Sequence, residues 1–187
     1  MDRDYFNSFL MFVIGLISGY ISILLYGQPD WWGQGTLLYY YNPLPGLIFG
    51  VGIILFYKLR FGERNLSFWN IFLFILVSIA AFLVAVGVAN LMTITVILFI
   101  GSFAAAGFLG ALILCYGIHW LFIPITMRQK MTISFTGAIL AGIVQVTVIL
   151  VNIVLQGDLR DTIILFPVWQ SGVGAAIGFM LSEKANF

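Results

Sequence analysis

Long runs of apolar residues alternate with short polar segments along the whole chain. The runs cover residues 9–27, 44–59, 68–89, 92–117, 132–155 and 162–181. A helix of about 20 mostly apolar residues spans a bilayer core about 30 Å thick, and each run reaches or approaches that length. The second run is the shortest, and Pro43, Pro45 and Gly46 around its start favour an irregular entry followed by a helix N-terminus. The pattern therefore predicts six transmembrane helices.

The composition points to the same class of protein. Of the 187 residues, 62% are hydrophobic and 8% are charged, and the mean hydropathy is +1.11. A soluble domain is about 45–50% apolar and about 25% charged, because charged side chains cover much of its surface. We therefore expect an all-α integral membrane protein, a compact bundle of six transmembrane helices that forms one domain over residues 1–187.

Basic residues are distributed unequally between the two sides that this topology creates. Arg160 lies alone on one side, whereas the other side carries seven of the eight Lys and Arg residues: Arg3, Lys58, Arg60, Arg64, Arg128, Lys130 and Lys184. Cytoplasmic segments of membrane proteins are enriched in Lys and Arg. We therefore expect both the N- and C-termini to be cytoplasmic, in a multi-pass protein of the cell membrane.

This orientation places residues 28–43 outside, as the longest external segment. Five aromatic residues lie in it: Trp31, Trp32, Tyr39, Tyr40 and Tyr41. Trp and Tyr favour the membrane–water interface, because the ring is apolar while its N–H or O–H stays hydrated. Three interpretations are open: an interfacial belt that anchors the first two helices, a lid over a pocket at the outer ends of the helices, and a short re-entrant turn.

Small residues four positions apart occur in five of the six runs. Examples are Gly15/Gly19, Gly46/Gly50, Ser102/Ala106, Gly137/Ala141 and Gly174/Gly178. Such faces let membrane helices approach closely, either within one bundle or towards partner subunits of a larger membrane complex. The third run, 68–89, is bulky over most of its length, which predicts a lipid-facing position.

The inventory of reactive side chains argues against catalysis. The chain has one histidine, His119, and one cysteine, Cys115, and it lacks a glycine-rich phosphate loop or a nucleophile paired with a base. We therefore expect no enzyme activity, no cofactor and no metal site. A net charge of +1 provides no field that would attract nucleic acid, so a nucleic-acid partner is not expected either.

Uncharged polar residues lie deep in the predicted helices. At about 1.5 Å of rise per residue, Gln145 and Gln170 lie about 15 Å and about 12 Å from the outer ends of their helices. Ser18, Ser78 and Ser102 lie at comparable depths. An amide in hydrocarbon is costly unless it finds hydrogen-bond partners, so both glutamines should face the bundle interior. One interpretation is that they form only interhelical hydrogen bonds.

The other interpretation is a solute pocket that opens outward beneath the aromatic segment. Pro167 in the sixth run can kink that helix and shape such a cavity. The residues predicted to bind the solute are Trp31, Trp32, Tyr40, Gln145, Asn152, Trp169, Gln170 and Ser171.

In size, six-span topology and cytoplasmic termini, the chain is similar to the substrate-capture subunits of energy-coupling-factor vitamin transporters. In those subunits an alanine-xxx-alanine face on the first helix docks onto the transporter scaffold. The corresponding small residues here are Gly15, Ser18, Gly19 and Ser22. The resemblance is one of architecture, and no site residue is transferred from it.

Two functions are consistent with these patterns. The first is a membrane protein that binds or transports a small uncharged or aromatic solute from the outer side, as the substrate-capture subunit of a larger transporter. The second is a non-catalytic accessory or assembly subunit of a membrane complex. It would use its glycine-rich faces and the cytoplasmic segments 58–67 and 118–131 for docking.

Overall fold

The structure, a computed structural model, describes residues 3–26, 42–62, 66–93, 101–154 and 161–185. Within these ranges the chain is helical apart from short connections. The helices are α1 (Arg3–Tyr26), α2 (Leu44–Phe61), α3 (Phe68–Thr93), α4 (Ser102–Leu121), α5 (Met127–Val154) and α6 (Asp161–Ala185). All six are long and apolar enough to cross a membrane. The prediction of an all-α architecture with six helices of membrane-spanning length is confirmed.

The helix bounds differ most from the apolar runs at the start of α4. The run begins at residue 92, but residues 92 and 93 continue α3, and α4 begins at Ser102. Residues 94–100 between the two helices read ITVILFI and are apolar except for Thr95. Hydropathy therefore has no minimum that could mark the end of one helix and the beginning of the next.

The six helices form a closed ring in chain order. Each helix packs against the next along the chain, α6 returns to pack extensively on α1, and α2 touches α6 across the ring. Neighbours run antiparallel, so the chain crosses the bundle up and down. We call one end of the bundle the basic end, because Lys58, Arg60, Arg128 and Lys130 lie there. The opposite end, where residues 27–41 connect α1 to α2, is the loop end.

Backbone contact joins α1 to α6. A Cβ atom added at Gly15 would lie 2.6 Å from Ser171 Cα, and one added at Gly174 would lie 2.7 Å from Met11 O. Real Cβ atoms essentially never come this close to another atom, so only glycine fits at either position. The small-residue faces predicted on the first and sixth helices therefore pack against each other.

A second backbone contact joins α4 to α5. Added Cβ atoms at Gly107 and Gly137 would each overlap the backbone carbonyl of the other residue. A similar face on α2 packs against α3, where Ser78 Oγ donates a hydrogen bond of 2.6 Å to Gly46 O. α3 is the least buried of the six helices. In its most apolar stretch 17% of the residues are buried, which fits the bulky residues of the third run.

The sequence pattern placed Lys130 in a connecting segment, but the structure places it inside the bundle. It belongs to the first turn of α5 and is only 5% exposed. Its Nζ lies 3.9 Å from the centroid of the Tyr116 ring on α4. The negative face of an aromatic ring attracts a cation, which explains how the ammonium group is accommodated. Nearby, His119 Nδ1 accepts a 2.9 Å hydrogen bond from the N–H of Ile125 and closes the turn between α4 and α5.

Candidate functional site

The two membrane-depth glutamines are buried, and each joins two helices. Gln170 on α6 is 2% exposed, and its Oε1 accepts a 2.6 Å hydrogen bond from Ser18 Oγ on α1. Gln145 on α5 is also 2% exposed. Its Nε2 donates a 3.0 Å bond to Ser102 Oγ, and its Oε1 accepts a 3.3 Å bond from the N–H of Phe103, both on α4. The glutamines face the interior as expected, but they bond to different helices and not to each other.

Trp169 on α6 occupies the middle of the ring. Its ring centroid lies 5.9 Å from that of Phe49 on α2. On the other side two glycines leave space for the indole, because an added Cβ would lie 3.4 Å from Cζ2 at Gly110 and 3.1 Å from Nε1 at Gly137. The small residues of α4 and α5 therefore determine where the largest side chain of α6 can lie.

The indole N–H of Trp169 has no hydrogen-bond partner. Nε1 is buried, and no acceptor lies within hydrogen-bond reach of it in the structure. A buried donor left unpaired typically destabilises the folded protein by about 1–3 kcal/mol. A buried, unpaired donor in a native structure therefore needs a physical explanation.

A partly open cavity of about 90 Å³ lies beside Trp169, towards the loop end of the bundle. Four helices, α3 to α6, contribute to it. The main lining residues are Phe82, Ala85, Phe103, Ala106, Ala141, Phe166, Trp169 and Gln170. All of them are apolar except Gln170. The cavity would therefore hold an apolar group more readily than water, which needs two to four polar partners.

The volume sets the size of the group that can enter. An apolar cavity of about 150 Å³ accommodates benzene. A space of about 90 Å³ is smaller than this, so an aromatic ring would lie partly in the cavity and partly in its opening. Because the cavity is partly open, the remainder of a larger molecule would lie in the opening.

The structure brings together two of the eight residues predicted to bind a solute, Trp169 and Gln170. Gln145 lies at the same end of the bundle but does not line the cavity. Asn152 is exposed near the end of α5, and Ser171 Oγ donates a 3.1 Å hydrogen bond to the backbone oxygen of Val168.

The other three predicted residues, Trp31, Trp32 and Tyr40, lie outside the described residues. Whether their segment is a belt, a lid or a re-entrant turn stays a prediction. The apolar walls of the cavity were missed by sequence reasoning, because Phe82, Phe103 and Ala141 look like any other apolar residue of a membrane helix.

Among the described residues, no three His, Cys, Asp or Glu side chains lie close enough together to hold a metal ion. Comparisons of the chain with protein-family models, with curated proteins and with solved structures gave no match. The similarity to vitamin-capture subunits stays a prediction, and function has to be inferred from the geometry of the chain itself.

Proposed function

We propose that this protein binds a small uncharged solute through an apolar or aromatic group and takes part in its transport from the outer side of the cell membrane. The observation that carries the proposal is the apolar cavity beside Trp169, whose indole N–H is buried and has no hydrogen-bond partner in the structure. The cavity supplies the apolar contact, and Trp169 supplies one directional contact. This combination is typical of small-molecule sites, in which a few polar groups orient a mostly apolar ligand.

The lining residues favour an uncharged solute that carries a hydrogen-bond acceptor. No charged side chain lines the cavity, and an ion placed there would lose its hydration without compensation. Ser18 holds the Gln170 amide through Oε1, so the amide nitrogen is the atom left to donate. Trp169 Nε1 is also a donor. An oxygen or ring nitrogen on the solute would pair with either group.

The glycine faces favour this proposal over an accessory subunit that docks through them. Gly15 and Gly174 are used between α1 and α6, and Gly107 and Gly137 between α4 and α5. Of the described glycines within a helix, Gly87 stands apart because nothing lies within 4 Å of an added Cβ. Most small-residue faces are thus occupied inside the bundle.

The proposed orientation puts the loop end outside, with both termini in the cytoplasm. A cysteine placed at Trp31 or Tyr40, in a Cys115→Ala background, should react with a membrane-impermeant maleimide added to intact cells. Labelling that occurs only after the cytoplasmic side is opened would reverse the orientation and, with it, the outward-facing cavity.

Binding can be tested with two fluorinated probes that differ in one acceptor. The purified protein in nanodiscs is titrated with 4-fluorophenol or fluorobenzene, and ¹⁹F line broadening is compared with that in empty nanodiscs. Ala141→Leu should fill the cavity and remove the extra broadening for both probes. Ala138→Leu, one turn away on the same helix and outside the cavity lining, is the matched control. Equal broadening in the two leucine variants would refute the site.

Trp169→Phe separates the two kinds of contact. It keeps an aromatic ring but removes the N–H, so affinity for 4-fluorophenol should fall while affinity for fluorobenzene stays the same. A hydrogen bond worth about 0.5–1.5 kcal/mol corresponds to a loss of about two- to twelvefold. Equal losses for both probes would mean that Trp169 contributes shape alone.

A further inference from the structure

A groove lies at the basic end of the bundle, between α5 and α6. It has a volume of about 630 Å³ and is closed on its third side by Ser8 of α1. We call it the α5–α6 groove. It lies on the outside of the ring, because Arg128, Thr132 and Phe179 in its walls are all exposed. In a membrane this surface faces lipid and the interface.

The packing of the two neighbouring pairs explains why the groove exists. Gly174 and Gly178 draw the second half of α6 into backbone contact with α1. Gly107 and Gly137 draw α5 into backbone contact with α4. The first turns of α5 and the last turns of α6 are therefore held by different partners, and the gap between them is left open.

Polarity changes along the groove. Its mouth at the basic end is formed by Thr126, Arg128 and Gln129, whereas Ala175, Ala176 and Phe179 contribute the accessible apolar wall. From Arg128 to Thr136, which also lines the groove, the wall of α5 runs about 12 Å at about 1.5 Å per residue. A polar, cationic mouth thus leads into a channel that is apolar on the α6 side and carries Thr132 and Thr136 on the α5 side.

Arg128 is the group in the mouth with hydrogen-bond donors left for a ligand. Thr132 Oγ1 donates a 3.0 Å bond to Arg128 O, and Thr136 Oγ1 donates a 3.0 Å bond to Thr132 O. The N-terminus of α5 is capped within itself, since the N–H groups of Thr126 and Gln129 bond to each other's side chains. The groove lining includes one charged residue, Arg128, and no acidic one.

We propose that the α5–α6 groove binds an anionic phospholipid, with the phosphate at Arg128 and an acyl chain along Ala175, Ala176 and Phe179. Basic pockets between transmembrane helices bind acidic lipid headgroups, because the opposite charges attract. The groove opens to the bilayer. Its cationic mouth suits the phosphate of such a lipid, and its apolar wall suits the acyl chain. This site lies at the opposite end of the bundle from the solute cavity, and it does not depend on the proposed function.

Native mass spectrometry of the protein in a neutral detergent tests the proposal. Delipidated protein is titrated with phosphatidylglycerol or phosphatidylcholine of the same acyl chains. Phosphatidylglycerol should bind more tightly, and Arg128→Gln should weaken its binding by about fivefold while changing phosphatidylcholine binding little. Lys58→Gln removes an exposed charge at the same end but outside the groove, and should change neither. Equal binding of the two lipids, or equal losses in the two variants, would overturn the proposal.

Two further measurements identify what occupies the α5–α6 groove. Thr136→Phe should block the groove and reduce the binding of both lipids, while the thermal unfolding of the protein confirms that it is folded. Excess inorganic phosphate should not displace phosphatidylglycerol, because the acyl chain contributes to binding. Displacement by phosphate would instead assign the mouth to a soluble anion. Unchanged lipid binding with an altered oligomeric state in Thr136→Phe would assign the groove to a second copy of the chain. Either this result or displacement by phosphate would overturn the proposal of a lipid site.

Discussion

The backbone contact between α1 and α6 leads to a sharp prediction for Gly15→Ala. An added Cβ would lie 2.6 Å from Ser171 Cα and closer still to Gln170 O. Ordinary contact begins at 3.4 Å, so the two backbones would have to separate by at least 0.8 Å, the difference between these distances. Both opposing atoms belong to the backbone of α6, so no side-chain rotation can relieve the overlap.

The magnitude has two parts. Forcing an extra methyl group into a packed interface destabilises by about 1–3 kcal/mol. A 0.8 Å separation would also stretch the 2.6 Å bond between Ser18 and Gln170 to about 3.4 Å, and such membrane hydrogen bonds are worth about 0.6 kcal/mol. Alanine also favours the helix by up to about 1 kcal/mol over glycine. Gly87→Ala gains the same helix term without any overlap, because nothing lies within 4 Å of its added Cβ.

The difference between Gly15→Ala and Gly87→Ala should therefore be about 1.6–3.6 kcal/mol, or about 3–14 °C in melting temperature. Cys115 provides the assay, since it is the one cysteine in the sequence and is 0% exposed. It should react with a fluorogenic maleimide only as the bundle unfolds. Gly174→Ala should melt like Gly15→Ala. Equal melting temperatures for the Gly15 and Gly87 variants would mean that α1 and α6 are not in backbone contact.

Two other pairs and one turn can be tested with the same melting assay. A double-mutant cycle of Ser18→Ala and Gln170→Leu should give a coupling energy of about 0.6 kcal/mol and not above about 1.7 kcal/mol, and zero coupling would rule out their hydrogen bond. A cycle of Lys130→Met and Tyr116→Leu should give about 1–2 kcal/mol, since the ammonium group is largely desolvated, and coupling that vanishes would contradict the cation–π contact. His119→Ala should destabilise by about 1–3 kcal/mol, because the backbone N–H that it caps is left buried and unpaired, whereas wild-type stability would show that water replaces the imidazole.

Sequence patterns predicted the helices well because the bilayer imposes a length that hydropathy can detect. They also identified the faces at Gly15/Gly19 and Gly174/Gly178 as close-packing surfaces. Spacing alone could not say that these two faces meet, because a pair of glycines shows only that a helix is flat on one side. The order of helices around the ring decides the partner, and that order depends on all six interfaces together.

The uncharged polar residues deep in the helices also show what the sequence could and could not predict. Gln145, Gln170, Ser18 and Ser102 were all expected near the same depth, and the two glutamines were expected inside. The structure pairs Gln170 with Ser18 and Gln145 with Ser102. Depth along a helix follows from counting residues, whereas the choice of partner follows from which helices are neighbours.

At Lys130 the sequence-based prediction was wrong for a different reason. Hydropathy treats every lysine as a residue that prefers water, so the fifth apolar run, 132–155, begins only after Lys130. The side chain is instead buried over Tyr116, because an aromatic face replaces part of the hydration of the ammonium group. Contacts across a helix–helix turn of this kind are not encoded in any local average of hydropathy.

Both candidate sites border the seam between α5 and α6, although the cavity is lined by four helices inside the ring and the groove lies on its outside. Backbone contact at glycines holds α6 to α1 and α5 to α4, whereas Gly137 and Gly172, at the seam between α5 and α6, meet side chains of the other helix. Ala141 and Trp169 border the cavity at one end of this seam, and Thr136 borders the groove at the other. Between them the Leu140 side chain packs against Gly172. Backbone contact at two interfaces thus leaves the third to side-chain packing, and the two open spaces border this third interface from the inside and the outside of the ring.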